Sequence, residues 1–304
     1  MRLVISGGTG LIGGALARAA LAAGDEVFIL SRNPAPERLP QGAQGVAWDA
    51  QRPEMWQEAL EGADAVVNLA GASVAGGRWT EKRKALLRQS RVRVGESLAQ
   101  AILQLKHPPR VLVQASGVGY YGRRVESPVD ESAPPGSDFL ARLAAEAWEP
   151  STAPVETRGV RRVIIRTGLV LSAEGGSLPL MALPFRLFLG GPMGDGRQWV
   201  PWIHLHDEVA AIRFLIAHPD ATGPFNLVAP GIVRNAKFGR LLAQTLHRPY
   251  WFPTPAPLLR LVLGEMASLI LEGQRAVPRR LLELGFTFRY PHLEEALRQL
   301  FEHH

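Results

Sequence analysis

Seven residues near the start of the chain, Gly7-Gly8-Thr9-Gly10-Leu11-Ile12-Gly13, limit the possible folds more than any other stretch. They follow a short apolar run (residues 3–6) and open a stretch of helical composition (11–23) that Gly24-Asp25 ends. Glycines three apart allow a tight strand-to-helix turn, let a pyrophosphate approach the backbone, and let the helix pack close to the sheet. The helix start then offers free N–H groups and partial positive charge to phosphate. In this context the tract reads as a dinucleotide-binding turn, with Gly7, Thr9, Gly10, Leu11, Ile12 and Gly13 against the cofactor. The competing reading is an ordinary glycine-rich turn.

The end of the second expected strand selects the cofactor. It reads Leu30-Ser31-Arg32-Asn33, with no acid before Glu37. NAD-selective sites place an acid there to bond the ribose 2′-hydroxyl, whereas a nearby arginine accommodates a 2′-phosphate. A guanidinium pairs with phosphate in bidentate fashion, and a carboxylate would repel it. Ser31 and Arg32 are therefore expected at a 2′-phosphate, and NADP(H) is favoured over NAD(H). The alternative makes Arg32 one more surface arginine in an arginine-rich chain.

Beyond the turn, strand and helix alternate. Apolar strands are expected at 3–6, 27–30, 45–48, 65–69, 110–115 and 162–166. Helical stretches fall at 11–23, 79–105 and 139–148, with a helical turn or two at 55–60. Continuous apolar strands between helices indicate an α/β fold, a doubly wound Rossmann-type parallel sheet covered on both faces. Residues 127–137 read as loop. From about 172 glycine and proline become frequent, interleaved with Trp199, Trp202 and His204, and the segment reads as looped. Helix returns at 207–217 and strand at 225–228, and the chain is mostly helical from 236, with prolines at 249, 253, 255 and 257 marking a hinge. The expected division is a nucleotide-binding domain over 1–171, its sheet completed by 205–230, and a smaller substrate-side and helical region over 172–304. The apolar stripe within 258–271 is expected to pack against the Rossmann body; a homodimer surface there is the alternative.

Composition narrows the function classes. Of 304 residues, 46% are hydrophobic and 20% charged, enough apolar material for a core and against disorder. Cysteine is absent, which excludes disulfides, thiolate nucleophiles and cysteine-ligated metal. The net charge is +6 and lysine occurs only at 82, 84, 106 and 237. The arginines are scattered rather than gathered in a tract, so no nucleic-acid partner is expected. The eight histidines form no H-E-x-x-H-like pattern, and no metal is expected. His303-His304 is too short for an affinity tag. The N-terminal apolar run is too short for a secretory signal, and Arg260 and Glu265 interrupt the most apolar later stretch. A cytoplasmic location with no membrane partner is expected.

Several further motifs carry a resemblance. They are Asn68-Leu69-Ala70-Gly71, Ser116 through Tyr120-Tyr121-Gly122, Arg166-Thr167-Gly168, and Gly191-Pro192-Met193-Gly194-Asp195-Gly196-Arg197-Gln198-Trp199. Trp202-Ile203-His204 with Asp207, Glu272-Gly273-Gln274-Arg275, and Gly285-Phe286-Thr287-Phe288 complete the set. Over nearly its whole length the chain resembles the atypical, epimerase-like branch of the extended short-chain dehydrogenase/reductases, often labelled nucleoside-diphosphate-sugar epimerase-related. The resemblance implies that Leu69, Ala70 and Gly71 lie beside the cofactor, and that Thr167, Gly168 and Leu169 approach the nicotinamide. It also implies that Asp49 sits near the adenine, and it places Ala115 and Ser116 at the cofactor.

The superfamily's acid/base device is missing. It uses a tyrosine with a lysine four residues later, on one helix face, the ammonium making phenolate accessible. Phe139 and Leu143 stand at the expected places. Moving one residue gives Asp138 and Arg142, an i,i+4 ion pair without a phenol. No Y-x-x-x-K occurs anywhere. The candidates left for catalysis are Ser116, either a substrate-facing hydroxyl or a strand-end cap, and Tyr121. His204 would titrate usefully but reads as a packed residue. Glu126, Asp130 and Glu131 read as solvated, and Gln198, Trp199 and Trp202 as a possible substrate wall. Two functions follow: an NADP(H)-dependent oxidoreductase or epimerase-like enzyme on an unidentified small molecule, or a non-catalytic NADP(H)-binding sensor or regulatory partner.

Overall fold

The structure is a computed structural model that describes residues 1–302. His303 and His304, and hence the question of a tag, lie outside the described residues, as do the side chains of residues 124–126, including Glu126, and of Glu302. Seven strands form the central sheet: β1 (Arg2–Ser6), β2 (Glu26–Ser31), β3 (Gln44–Ala47), β4 (Ala65–Asn68), β5 (Val111–Gly117), β6 (Arg161–Thr167) and β7 (Gly223–Leu227). Their order across the sheet is β3-β2-β1-β4-β5-β6-β7, and every pair is parallel. The order reverses between β1 and β4, the position where doubly wound sheets open a crevice at the carboxyl ends of their strands.

Both faces of the sheet are buried, which explains why the strands read as continuous apolar runs. Leu3, Ile5, Val27, Ile29, Val67, Val113, Ile165 and Phe225 pack under α1 (Leu11–Ala22) and α5 (Leu205–Ala217). Val4, Leu30, Val66 and Leu112 meet α2 (Glu81–Gln104) and the 3-10 stretch Glu149–Arg158 on the other face. Arg161 fastens α5 by donating to the carbonyls of Leu215, Ile216 and Ala221, a cation at a helix C-terminus.

The structure departs from the sequence expectations in four places. The strand Arg124–Val129, which pairs with Gln274–Ala276, runs into the residues expected as loop from 127. The looped segment after 172 contains helix α4 (Leu178–Arg186), whose two prolines hid it. The stretch after α3 (Phe139–Leu143) continues as a π-turn and a long 3-10 run to Arg158. Finally, beyond α6 (Asn235–Thr245), α7 (Ala256–Leu263) buries none of its residues: of the stripe expected to pack against the Rossmann body, Leu263 and Met266 do so beside Trp79 and Leu87, while Leu258, Leu261 and Val262 are exposed. No helix among the described residues is long and apolar enough to cross a membrane.

Trp202 belongs to a third core, with Leu171, Phe185, Phe238 and Leu297. It is fully buried, and its indole donates to the Gly231 carbonyl at 3.1 Å. This corrects the expectation that it lines a substrate pocket. Trp202→Ala is expected to cost about 3–5 kcal/mol in urea denaturation. Trp199→Ala, at a half-buried site, should cost less than about half as much.

Candidate cofactor and active site

Gly7 adopts φ +74°, and a β-carbon there would lie 2.9 Å from the backbone of Leu69 and Ala70. The glycine turn and the end of β4 are therefore pressed together. A β-carbon on Gly13 would collide with the Gly7 carbonyl, so α1 can start this close to its strand only with glycine there. Gly10 is the N-cap of α1; no side chain caps the helix and its first turn holds no acid. Those orphan amides are left for an external acceptor. Thr9 and Gly10 are exposed at the opening, with Leu11 and Ile12 half-buried behind them.

At the end of neighbouring β2, the Ser31 hydroxyl accepts from the Asn33 amide at 3.2 Å. Arg32 is exposed beside it. Asp49, beyond β3, is tied into its own turn. Its carboxylate accepts from the Gln51 and Arg52 amides and from Arg52 Nε at 2.7 Å, which holds its pKa down at about 2.

A buried polar chain crosses the carboxyl ends of three strands. Ser6 Oγ donates to Asn68 Oδ1 at 2.6 Å, Asn68 Nδ2 to Gln114 Oε1 at 2.9 Å, and Gln114 Nε2 to the Ala115 carbonyl. Beyond Leu69 and Ala70, Gly71 lies against Arg91 of α2. Arg91 is buried with its guanidinium 4.7 Å from the Trp148 ring centre, and burial pushes its pKa down to about 10.

Ser116 and Tyr121 meet a second network. Arg166, on β6, forms two bonds of 2.9 Å with the Glu149 carboxylate, a bidentate pair buried on both sides. Ser116 Oγ donates to Glu149 Oε1 at 2.7 Å. Tyr121 donates to Asn226 Oδ1 at 2.6 Å and accepts from Arg166 Nη1 at 3.1 Å. The guanidinium also sits 3.4 Å from the Tyr120 ring centre. Burial would lower the pKa of Arg166, but the bonds to Glu149 and Tyr121 outweigh it and drive it further up. Tyr121 is completely buried, and burial pushes its phenol to about 12 against the pull of Arg166. The expectation that Tyr121 serves as acid or base is thereby corrected: its hydroxyl is sealed and committed on both sides. Glu131 is also buried rather than solvated, since its oxygens accept from the amides of Asn226 and Arg280. Burial raises its pKa, with those amides pulling the other way.

On the helix expected to carry the acid/base pair, the two positions in question are packing groups. Phe139 lies edge-on to Trp79 at 5.6 Å and Leu143 is buried. Asp138 accepts from the Ala141 amide at 3.0 Å as an N-cap, in place of the expected ion pair with Arg142.

The Thr167-Gly168 turn brings in a carboxyl that sequence reasoning missed. Thr167 Oγ1 donates to Glu208 Oε1 at 2.8 Å, while Glu208 Oε2 is buried without a partner. Glu208 is fully buried, and burial pushes its pKa up to about 8. At neutral pH it therefore carries a proton. Its signal in the sequence was slight, an acid in the first turn of a helix, where acids are common.

On the expected substrate side, Gln198 is buried and donates to the carbonyls of Met193 and Ile270, its Oε1 unpartnered. It lines a cavity of about 200 Å³ with Arg123, Arg197, Arg260 and Glu272. Trp199 is half-buried between the guanidinium groups of Arg234 and Arg275. His204 is buried, accepts from the His206 amide and meets Gln299; burial pushes it down to about 4, so it is neutral. A wider cleft of about 620 Å³ beside it, between α1 and α5, lies apart from the glycine turn. No cluster of metal-ligand residues occurs among the described residues.

A switch-point crevice, an uncapped glycine turn and a buried network at the ends of β5 and β6 place the chain among the nucleotide-binding α/β proteins. The family comparison is specific: residues 3–228 match the NAD dependent epimerase/dehydratase family, and 254–300 match a domain of unknown function, DUF1731. The chain belongs to the epimerase/dehydratase family. It is 40% identical over 301 residues to the epimerase family protein YfhF of Bacillus subtilis, covering 99% of this chain and 98% of that one. It is 37% identical to mouse epimerase family protein SDR39U1, covering 99% of each. Among solved structures, human SDR39U1 with NADPH superposes with a TM-score of 0.90 at 34% identity, covering 99% of each chain.

Two outcomes follow. Arg166→Met leaves the Glu149 carboxylate buried and uncompensated, and is expected to cost about 3–5 kcal/mol in urea denaturation; adding Glu149→Gln should recover part of that loss. Glu208 has a folded pKa above its unfolded value, so its stabilisation is complete below about pH 4.5 and fades as pH rises through about 8. Stability should fall across that window with a slope of up to about 1.4 kcal/mol per pH unit. In Glu208→Gln that component of the slope should vanish, as read by denaturation at successive pH values.

Proposed function

We propose that this chain binds NADP(H) along the carboxyl edge of its sheet and works as an atypical short-chain dehydrogenase/reductase, an oxidoreductase or epimerase acting on a small molecule. The observation that carries the reading is the uncapped, acid-free first turn of α1 beside Ser31 and exposed Arg32. The glycine turn supplies amides for a pyrophosphate, and Arg32 supplies a guanidinium for a 2′-phosphate. The human relative solved with NADPH supports the same choice. Leu69–Gly71, Ala115–Ser116 and Thr167–Leu169 would flank the cofactor, with Asp49 near the adenine end.

When bound, the nicotinamide supplies or accepts hydride, and the protein's work is orientation. Glu149 holds Ser116 by its hydroxyl, and Glu208, protonated at neutral pH, holds the Thr167 hydroxyl. The cavity lined by Gln198 and the arginines around it is read as the substrate side. The second reading, a binding protein without turnover, is favoured by one observation: the tyrosine and lysine positions are filled by Phe139 and Leu143, which pack among Trp79, Leu87 and Met266.

Titration calorimetry with the four nicotinamide nucleotides tests the cofactor. NADPH and NADP are expected to bind more tightly than NADH and NAD. Arg32→Ala should remove about 1.5–3 kcal/mol of that preference, roughly ten- to a hundredfold. Failure of all four to bind would overturn the reading. With cofactor bound, net loss of nicotinamide absorbance on a substrate panel marks an oxidoreductase, and interconversion of sugar epimers without net loss marks an epimerase. Saturable binding with neither marks the second reading.

A further inference from the structure

The largest unexplained feature lies away from the cofactor crevice. Residues 187–194 and 250–254 run side by side. The amides of Trp251 and Phe252 both donate to the Gly190 carbonyl, Gly194 donates to Thr254, and Thr254 donates to Pro192. Their joint tip presents Leu187, Phe188, Leu189, Trp251 and Phe252 to solvent, each at least half exposed. The helices on either side continue it. On α4, buried Leu178, Ala182 and Phe185 share one side, which leaves Leu180 (70% exposed) and Leu183 outward. On α7, Ala256 and Arg260 line the Gln198 cavity, while Leu258, Leu261 (73% exposed) and Val262 lie on the opposite side at 100° per residue. The apolar face of α7 thus points away from the expected substrate cavity. It is not an open wall of that cavity.

The tip is built, not frayed. Phe188 sits at φ +62°, a region that a bulky L-residue seldom occupies. The Trp251 indole donates to its carbonyl at 2.7 Å, and the Arg248 guanidinium lies 4.8 Å from its ring centre. Backbone strain is accepted in order to hold an aromatic ring in water. Within the two segments that form the face the charges are arginines, and the flanking acids Glu174, Asp195 and Glu265 stand just outside them. Between residues 175 and 194 the sole charged residue is Arg186, and between 248 and 264 there are only Arg248 and Arg260.

We infer that this face docks on an anionic phospholipid bilayer, with the Phe188/Trp251 tip and the outward leucines entering the interface. Exposed Leu, Phe and Trp with arginines set among them is the composition of interfacial membrane-binding surfaces. The anionic leaflet complements the arginines. A twofold pairing of the same face in a second copy would instead bury Arg186 and Arg248 with no acid within either segment to pair them. The association is peripheral, which departs from the sequence expectation of no membrane partner.

Co-sedimentation of the full chain with phosphatidylcholine vesicles, with and without phosphatidylserine, tests this. Binding is expected to phosphatidylserine-containing vesicles, to weaken with salt, and to be marginal on phosphatidylcholine alone. Arg186→Gln/Arg248→Gln should weaken it about tenfold or more. Phe188→Gly relieves the left-handed backbone, so it should fold with unchanged or raised thermal stability and yet bind vesicles more weakly. Leu187→Glu should do the same to binding. No binding to anionic vesicles at low salt overturns the inference. So does binding that none of these variants changes, or a dimer by light scattering that Phe188→Gly and Leu187→Glu convert to monomer. NADPH titration of the same variants should be unaffected.

Discussion

A charged side chain inside a parallel sheet sets the terms for the active-site end of this fold. Arg166 lies on β6 between strands β5 and β7, where an unpaired guanidinium would be costly. Its need for a carboxylate draws Glu149 in from the helical layer, and with it the π-turn and 3-10 run that the residue joins. Glu149 in turn takes the Ser116 hydroxyl, and Arg166 takes the Tyr121 phenol, which reaches Asn226 on β7. One ion pair thus ties β5, β6, β7 and the covering layer together. A buried pair of this kind is weak evidence of net stability, because desolvation offsets the attraction. Its contribution here is to fix which groups stand at the ends of those strands.

The same arrangement takes Tyr121 out of acid/base chemistry. A catalytic phenol needs access to its proton and a neighbouring cation that favours phenolate. Tyr121 has the cation but is sealed, and desolvation wins, pushing the phenol to about 12. Glu208 is the contrasting case: a carboxyl left neutral at physiological pH, beside the turn expected to meet the nicotinamide.

The sheet could be read from the chain because its strands are apolar on both faces and separated by helices of ordinary length. The glycine turn was legible for a similar reason: the spacing at 7, 10 and 13 is required by close contacts, and nothing else satisfies them as well. The polar network was not legible, because Glu131, Glu149 and Glu208 look like any surface acid until their surroundings are known. A hint was present in Ile164-Ile165-Arg166, where an arginine in an apolar strand has to find a partner. The stripe on α7 misled in the opposite direction. Helical spacing of leucines shows that a face exists, and it does not show that this chain covers it.

The strand order has a consequence for how the molecule is made. β1 emerges first from the ribosome, yet it lies in the middle of the sheet, between β2 and β4. Until Asn68 has emerged, one edge of β1 has nothing to pair with, and the outermost strand, β7, arrives only after residue 227. The first part of the chain must therefore wait, half-paired and apolar on both faces, for partners made much later. Parallel sheets of this kind fold slowly and are open to misassembly while incomplete. The nascent N-terminal half should be a client for chaperones during synthesis, and a truncation before Thr167 would leave an unpaired hydrophobic edge rather than a small stable domain.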